Sequence, residues 1–179
     1  MRIVSGTHGG RTVMAPKGLP VRPTTDFAKE ALFNILQNRY DFETLKVLDL
    51  FSGIGNISYE FASRGAKQII AVDSHYQCCA FIKETNEKLG FKNITVLKSD
   101  AFQYLKRCNE TFDIIFADPP FDMLTTKEIP PLVFEKTMLN PGGCFILEHS
   151  DQLNFAKTEH FLEQRNYSRV NFSIFTTTP

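Results

Sequence analysis

The sequence predicts an α/β protein built on a mostly parallel sheet, and three observations carry that prediction. Short apolar runs, Val47–Leu50, Gln68–Val72, Ile94–Lys98 and Phe112–Ala117, alternate with segments of helical periodicity. A glycine loop, Ser52-Gly53-Ile54-Gly55, separates the first run from the helical pattern after it. Each run carries an aspartate at or just past its carboxyl end: Asp49, Asp73, Asp100 and Asp118. Open parallel sheets bind ligands at that edge, and helix capping alone is a poor explanation for four carboxylates gathered there.

Taken in order, residues 2–22 alternate loosely around glycines, with Ile3-Val4 and Thr12-Val13 as candidate strands of an N-terminal hairpin or arm. Arg2, Arg11 and Arg22 on such an exposed element either contact phosphates without reading bases or are ordinary surface charge. Pro23 holds Arg22 out of helical geometry, and Thr25 or Asp26 can cap a helix over about 26–38, in which Phe27, Ala31 and Ile35, with Leu32 and Leu36 beside them, keep helical spacing. After the glycine loop, the helix from Ile57 ends at Arg64-Gly65. The run to Asp73 is unbroken and apolar, as expected of a buried parallel strand. A helix over about 75–89 stops at Gly90, and another spans 101–107. Pro130-Pro131 opens a helix near 129–138. A Pro141-Gly142-Gly143 turn then leads to a fifth strand, Cys144–Leu147, with Glu148-His149 at its tip. Period-two residues Val170, Phe172 and Ile174 predict a final antiparallel hairpin over about 158–165 and 169–177.

The 179 residues are read as one domain, a basic arm over 1–25 and a core over 26–179, since no interior linker divides them. Neither a signal peptide nor a membrane-length apolar run is evident, so the expectation is a soluble cytoplasmic protein. Cys78, Cys79, Cys108 and Cys144 lack metal-ligand spacing and read as free thiols; no metal is expected. Lys plus Arg (20) balances Asp plus Glu (20). Residues 1–30, however, hold five basic against two acidic side chains. A polyanion would therefore be met locally, near the N-terminus.

Glycines in the loop admit positive φ and close ligand approach, and the helix start favours an anionic group. A dinucleotide fingerprint would need a third glycine where Ser58 stands, which disfavours a diphosphate. Asp49 followed by Phe51-Ser52-Gly53-Ile54-Gly55 looks instead like the first motif of S-adenosylmethionine (SAM) dependent methyltransferases. Asp73 falls roughly 20 residues beyond the loop, where a carboxylate holds ribose hydroxyls. Asp100 can accept from an adenine amino group or cap the next helix, and both roles can coexist. The most specific signal is Asp118-Pro119-Pro120-Phe121. An amino group conjugated to a base is a poor nucleophile, and acceptors at the Asp118 side chain and the Pro119 carbonyl would orient its lone pair. Fixed proline φ values would hold that carbonyl rigid, and Phe121 would stack on an extruded base.

With Arg2-Ile3-Val4-Ser5-Gly6, Gly10-Arg11, Arg22-Pro23-Thr24-Thr25-Asp26, Asp49–Gly55, Ser63-Arg64-Gly65-Ala66, Val72-Asp73, Asp118–Phe121, Glu148-His149 and Tyr167–Phe175, the chain resembles the RsmD-type methyltransferases. These modify the N2 amino group of a guanine in bacterial small-subunit rRNA. The resemblance implies a Rossmann-like SAM-dependent methyltransferase fold, a seven-stranded mixed sheet parallel except for a C-terminal antiparallel strand. It implies a cofactor site at Thr24, Thr25, Asp49, Phe51, Ser52, Gly53, Gly55, Asn56, Asp73, Ser74, Asp100, Ala101 and Asp118. Asp118, Pro119, Pro120 and Phe121 would act on the target guanine. Arg2, Arg11, Lys17, Arg22 and Lys29 would bind RNA, with 16S rRNA, within the small ribosomal subunit, as partner and no obligate protein partner. The family often has arginine at position 29, an acidic residue at 75, and glycine at 58 and 168. Rival readings are a DNA amino-methyltransferase, for which 179 residues leave little room for target recognition, a protein-glutamine methyltransferase, which would more typically carry Asn at position 118, and a non-catalytic SAM- or rRNA-binding assembly factor.

Overall fold

A computed structural model describes residues 1–16, 18–19, 24–168 and 170–177. The sheet is laid down by β1 (Lys46–Leu50), β2 (Gln68–Asp73), β3 (Ile94–Lys98), β4 (Phe112–Ala117), β5 (Leu139–His149), β6 (Phe161–Tyr167) and β7 (Val170–Thr176). Their order is β3-β2-β1-β4-β5-β7-β6. Neighbours from β3 to β5 run parallel, while β7 is antiparallel to both β5 and β6. The chain moves outward from β1 through β2 to β3, then returns to the other side of β1 with β4. The order therefore reverses between β1 and β4, and a crevice opens at their carboxyl ends.

Helices cover both faces because successive strand residues point to opposite sides. Val47, Ile69, Ile114 and Ile146 share one core with α1 (Asp26–Gln37), α2 (Asn56–Ser63) and α3 (Tyr76–Leu89). Leu48, Ile70, Ile115 and Phe145 share the other with α4 (Ala101–Arg107) and α5 (Ile129–Glu135).

Three expectations need correction. The buried face of α1 keeps Leu32 and Leu36 of the expected apolar set but is completed by Ala28 and Phe33, so that Phe27 is 71% exposed and meets the edge of Tyr167. Phe33 is the reason: it stacks edge-on with Phe61 of α2 and pulls that face inward. The Pro141-Gly142-Gly143 segment is not a turn before the fifth strand. β5 already begins at Leu139, and the register with β4 shifts between the Phe112–Leu139 and Ile114–Cys144 pairs, so these residues form a bulge inside it. The helix expected near 129–138 ends at Glu135, preceded by a 3-10 turn over Leu124–Glu128.

The N-terminal segment is a minimal hairpin, paired through Ile3 N to Arg11 O (2.9 Å) and Gly10 N to Ile3 O (2.8 Å). It is not a free arm, since Ile3 and Val13 are buried in the core beneath α1 and α2. Glu60 of α2, itself buried, accepts from the N–H groups of Val4 (2.7 Å) and Ser5 (3.1 Å). Ser63 ties the tip through Thr7 N to Ser63 O at 2.7 Å and His8 N to Ser63 Oγ at 2.9 Å.

Candidate active site

The crevice at the reversal point is a cavity of about 510 Å³. That lies within the range of roughly 300–1,000 Å³ usual for small-molecule sites. Its floor is the loop between β1 and α2, whose backbone takes positive φ at Phe51 (58°), Gly53 (53°) and Gly55 (82°). Phe51 in that region is a strained placement for a bulky residue, of the kind that collects at ligand sites. At Gly55 a Cβ would lie 2.8 Å from the Tyr59 ring, so glycine is required there on two counts. Asp49, Phe51, Ser52, Gly53 and Asn56 line the cavity, and so do Thr24 and Thr25 at the start of α1. Thr25 caps that helix, its Oγ1 accepting from Ala28 N at 3.2 Å.

Asp73 and Ser74 line it from the tip of β2. Asp73 is pinned by two backbone donors, Gly53 N to Oδ2 and His75 N to Oδ1, both at 2.8 Å. Asp118, Pro119, Pro120 and Phe121 form the wall that continues β4. The Asp118 N–H donates back to Leu50 O at 3.3 Å, which locks this turn to the end of β1.

Electrostatically the deepest group is Asp49, 1% exposed. Ser58 Oγ donates to its Oδ2 at 2.5 Å. Burial pushes the Asp49 carboxyl up to about 7; the Ser58 hydroxyl and N–H hold it down, and the Asp73 charge adds to the rise. Cys78, also on the wall, has its thiol pushed up to about 11 by burial and is not a nucleophile at neutral pH. Among the described residues no group of three or more side chains could hold a metal ion, and no helix is long and apolar enough to cross a membrane.

Several expected residues lie elsewhere. Gly55, Asp100 and Ala101 are not on the cavity wall; Asp100 is exposed and caps α4 by accepting from Gln103 N at 2.9 Å, while Ala101 is buried. Asn56 lines the cavity with its side chain held by protein partners, accepting from Lys29 Nζ (2.7 Å) and donating to Thr24 O (3.1 Å). Lys29 is corrected outright as an RNA contact. It is 0% exposed, donates to Arg2 O at 2.5 Å, and stands 3.6 Å from Glu60. Its charge is inward because α1 turns this face to α2, and desolvation by burial lowers its pKa against the pull of Glu60 and Asp26. Arg11 is exposed, and Arg2 is half-exposed with Nε 3.6 Å from Asp26. Lys17 and Arg22 lie outside the described residues.

The cavity also recruits residues that the sequence did not assign: His75, Phe116, Glu148 and Val170 among them. Glu148 had a usable signal, a carboxylate at the carboxyl end of a parallel strand. Val170 had none, since it reaches the site only because β7 inserts beside β5.

The residues present fit SAM. Ser52 Oγ is buried without a hydrogen-bond partner beside the glycine loop, ready to donate to a ligand carboxylate. Asp49 suits an ammonium and Asp73 a pair of ribose hydroxyls, and the loop backbone leaves space that side chains would fill.

Comparison with known proteins agrees. The model of a family described as conserved hypothetical protein 95 matches residues 1–176. A protein of Buchnera aphidicola named ribosomal RNA small subunit methyltransferase D is 30% identical, over 98% of this chain and 91% of its own length. A Thermus thermophilus hypothetical protein has the same fold, with a TM-score of 0.87, 23% identity and 99% of both chains covered. The T. thermophilus 16S rRNA N2 G1207 methyltransferase, solved with AdoMet and guanosine, superposes with a TM-score of 0.71 at 23% identity. That match covers 89% of this chain and 45% of that one. The shared fold is the Rossmann-like fold of SAM-dependent methyltransferases.

Proposed function

Because the chain belongs to the conserved hypothetical protein 95 family, the RsmD-type methyltransferases, we propose that it methylates the N2 amino group of a guanine in 16S rRNA of the small ribosomal subunit, in the cytoplasm, using SAM. The observation that carries this reading is the placement of Asp118-Pro119-Pro120-Phe121 on the same cavity as Asp49, Gly53 and Asp73. SAM supplies an electrophilic methyl on a sulfonium sulfur.

The chain's own residues do the rest. Asp49, Ser52 and the loop N–H groups hold the amino-acid end of the cofactor, and Asp73 holds the ribose. The Asp118 carboxylate and the Pro119 carbonyl accept the two hydrogens of the guanine amino group. This draws the nitrogen toward tetrahedral geometry and frees its lone pair for the methyl. With SAM bound, its methyl would be presented to that lone pair, and the amino group, held by Asp118 and Pro119, would release one proton to solvent. Preorganised acceptors lower such a barrier because they need no reorientation during the step. Phe121, 37% exposed, offers its face to the extruded base. Arg2 and Arg11 meet the rRNA backbone beside the site.

The test is to incubate the protein and labelled SAM with undermethylated small subunits, protein-free 16S rRNA and duplex DNA, then identify the labelled nucleoside. N2-methylguanosine from subunits or rRNA is expected. Label in DNA alone, or SAM binding without transfer to any of the three, overturns the reading.

A further inference from the structure

Ser58 stands where the dinucleotide fingerprint and the RsmD pattern would both place glycine, and the structure gives its hydroxyl a specific partner. Ser58 is the third residue of α2 and 0% exposed, and its Oγ donates to Asp49 Oδ2 at 2.5 Å. Asp49 lies inside β1, paired on one side with Ala71 and on the other with Phe116, so its backbone is fixed by the sheet. Its side chain is on the cavity wall. A carboxylate cut off from bulk water keeps its charge and its rotamer only if donors reach it. Neither flanking strand offers a side-chain donor at the paired positions. The start of α2 does, because Gly55 in the left-handed region, packed on Tyr59, sets where the first turn of that helix begins.

We propose that Ser58 is a positioning residue for the cofactor: its hydroxyl fixes the Asp49 carboxylate in one orientation, as the anion that receives the ammonium of the amino-acid end of SAM. This rests on the cofactor reading above and names how the chain secures one end of that ligand. Among the described residues, the other groups facing Asp49 are Asp73 at the tip of β2, whose charge opposes ionisation, and the Tyr59 hydroxyl on α2. Asp118 and Glu148 share the cavity. None of these described groups is a cation, and among the described residues the Ser58 hydroxyl is the side-chain group that favours the charged form.

The test compares two ligands between pH 5.5 and 7.5, a range in which an α-amino group of pKa about 7.7–8.0 stays largely charged. SAM carries the ammonium; methylthioadenosine has the same nucleoside and lacks the amino-acid end. In Ser58→Ala the dissociation constant for SAM at pH 7 is expected to rise about tenfold, the size of one lost hydrogen bond to a charged group. The acid limb of the affinity profile should move up, so that at pH 7.5 Ser58→Ala is still losing SAM affinity with falling pH where the wild type is nearing its plateau, and methylthioadenosine affinity should not change. Ser58→Gly, the residue of the RsmD pattern, should behave alike and guards against a folding artefact peculiar to alanine. In an Asp49→Asn background, Ser58→Ala should have no further effect on SAM. Equal losses for both ligands, or an unmoved acid limb, overturn the proposal alone. A wild-type protein that binds neither ligand overturns the cofactor reading and the proposal with it.

Discussion

Thr24 Oγ1 donates to Glu148 Oε2 at 2.7 Å, joining the residue before the α1 cap to the end of β5 across 124 positions of sequence. Both residues are buried and both line the cavity. The bond closes one side of the ligand space that the sheet alone leaves open. Thr24→Val keeps the shape and removes one donor to a buried carboxylate. It should cost about 1.5–3 kcal/mol of stability in denaturant titration and weaken SAM binding. Glu148→Gln keeps an acceptor for the same hydroxyl and should cost less than Thr24→Val.

Asp118 carries the chemistry in the proposed reaction, and Asp118→Ala separates turnover from folding. Loss of one preorganised hydrogen-bonding group at a reacting centre lowers kcat by roughly 10²–10³. A fall of that size is expected in single-turnover methyl transfer, with a thermal melting curve near that of the wild type and a much smaller change in SAM affinity. A rate within threefold of wild type would remove Asp118 from the reaction.

The strand tips made most of this site legible in the sequence. Buried parallel strands read as apolar runs, so β3 and β4 fall at the expected residues, and Asp49 of β1, Asp73 at the end of β2 and Asp118 after β4 lie on the cavity at their carboxyl edge. What the runs did not show are relationships across the fold. Pro141-Gly142 reads as a stop because bulges share their composition with turns, yet β5 runs through it. Lys29 reads as a surface charge because periodicity does not reveal that Glu60, 31 residues later, waits on the facing helix. Asp100 stayed ambiguous because capping and ligand binding ask for the same residue at a helix start, and the structure shows the cap.

Lys29 therefore belongs to stability, with no direct part in RNA binding. In Lys29→Met, Glu60 keeps Val4 N, Ser5 N and Arg64 Nε (2.8 Å) as donors. The loss should fall below the roughly 3–5 kcal/mol of a fully orphaned buried charge, at about 1–3 kcal/mol. Its salt dependence of rRNA binding should match the wild type, whereas Arg11→Ala should lower the slope of log affinity against log salt by roughly 0.7–0.9.

His149 gives the fold a pH dependence of known sign. Its Nδ1 faces Ser150 O at 2.7 Å and can only donate there, so in the neutral ring Nε2 accepts from Ser173 Oγ at 2.8 Å. Burial lowers its pKa, opposed by the Ser150 bond. A group whose folded pKa is depressed contributes stability that is present above its unfolded value of about 6.5 and lost as pH falls through the folded one. The His149 contribution should lower the melting temperature as pH drops from 7.5 to 5, opposite in sign to the gain from protonating Asp49, and it is read as the difference between wild type and His149→Gln, which should lack that fall.

Gly6 and Gly10 both have positive φ, 80° and 83°, yet their substitution should differ sharply. A Cβ on Gly6 would lie 1.9 Å from Ser63 O, the acceptor that holds Thr7 N; a Cβ on Gly10 meets nothing within 4 Å. Gly10→Ala therefore carries only the backbone cost of a left-handed alanine, about 1–2 kcal/mol. Gly6→Ala must in addition push the hairpin off α2, breaking the bonds from Thr7 and His8 to Ser63. Since Arg2 and Arg11 ride on that hairpin, Gly6→Ala should lose rRNA affinity and expose residues 1–13 to protease, with SAM affinity close to wild type. Gly10→Ala should retain rRNA affinity and protease resistance. If the two variants bind rRNA equally well while Gly6→Ala is clipped, the hairpin is a structural clasp and the rRNA contacts lie elsewhere on the carboxyl edge of the sheet.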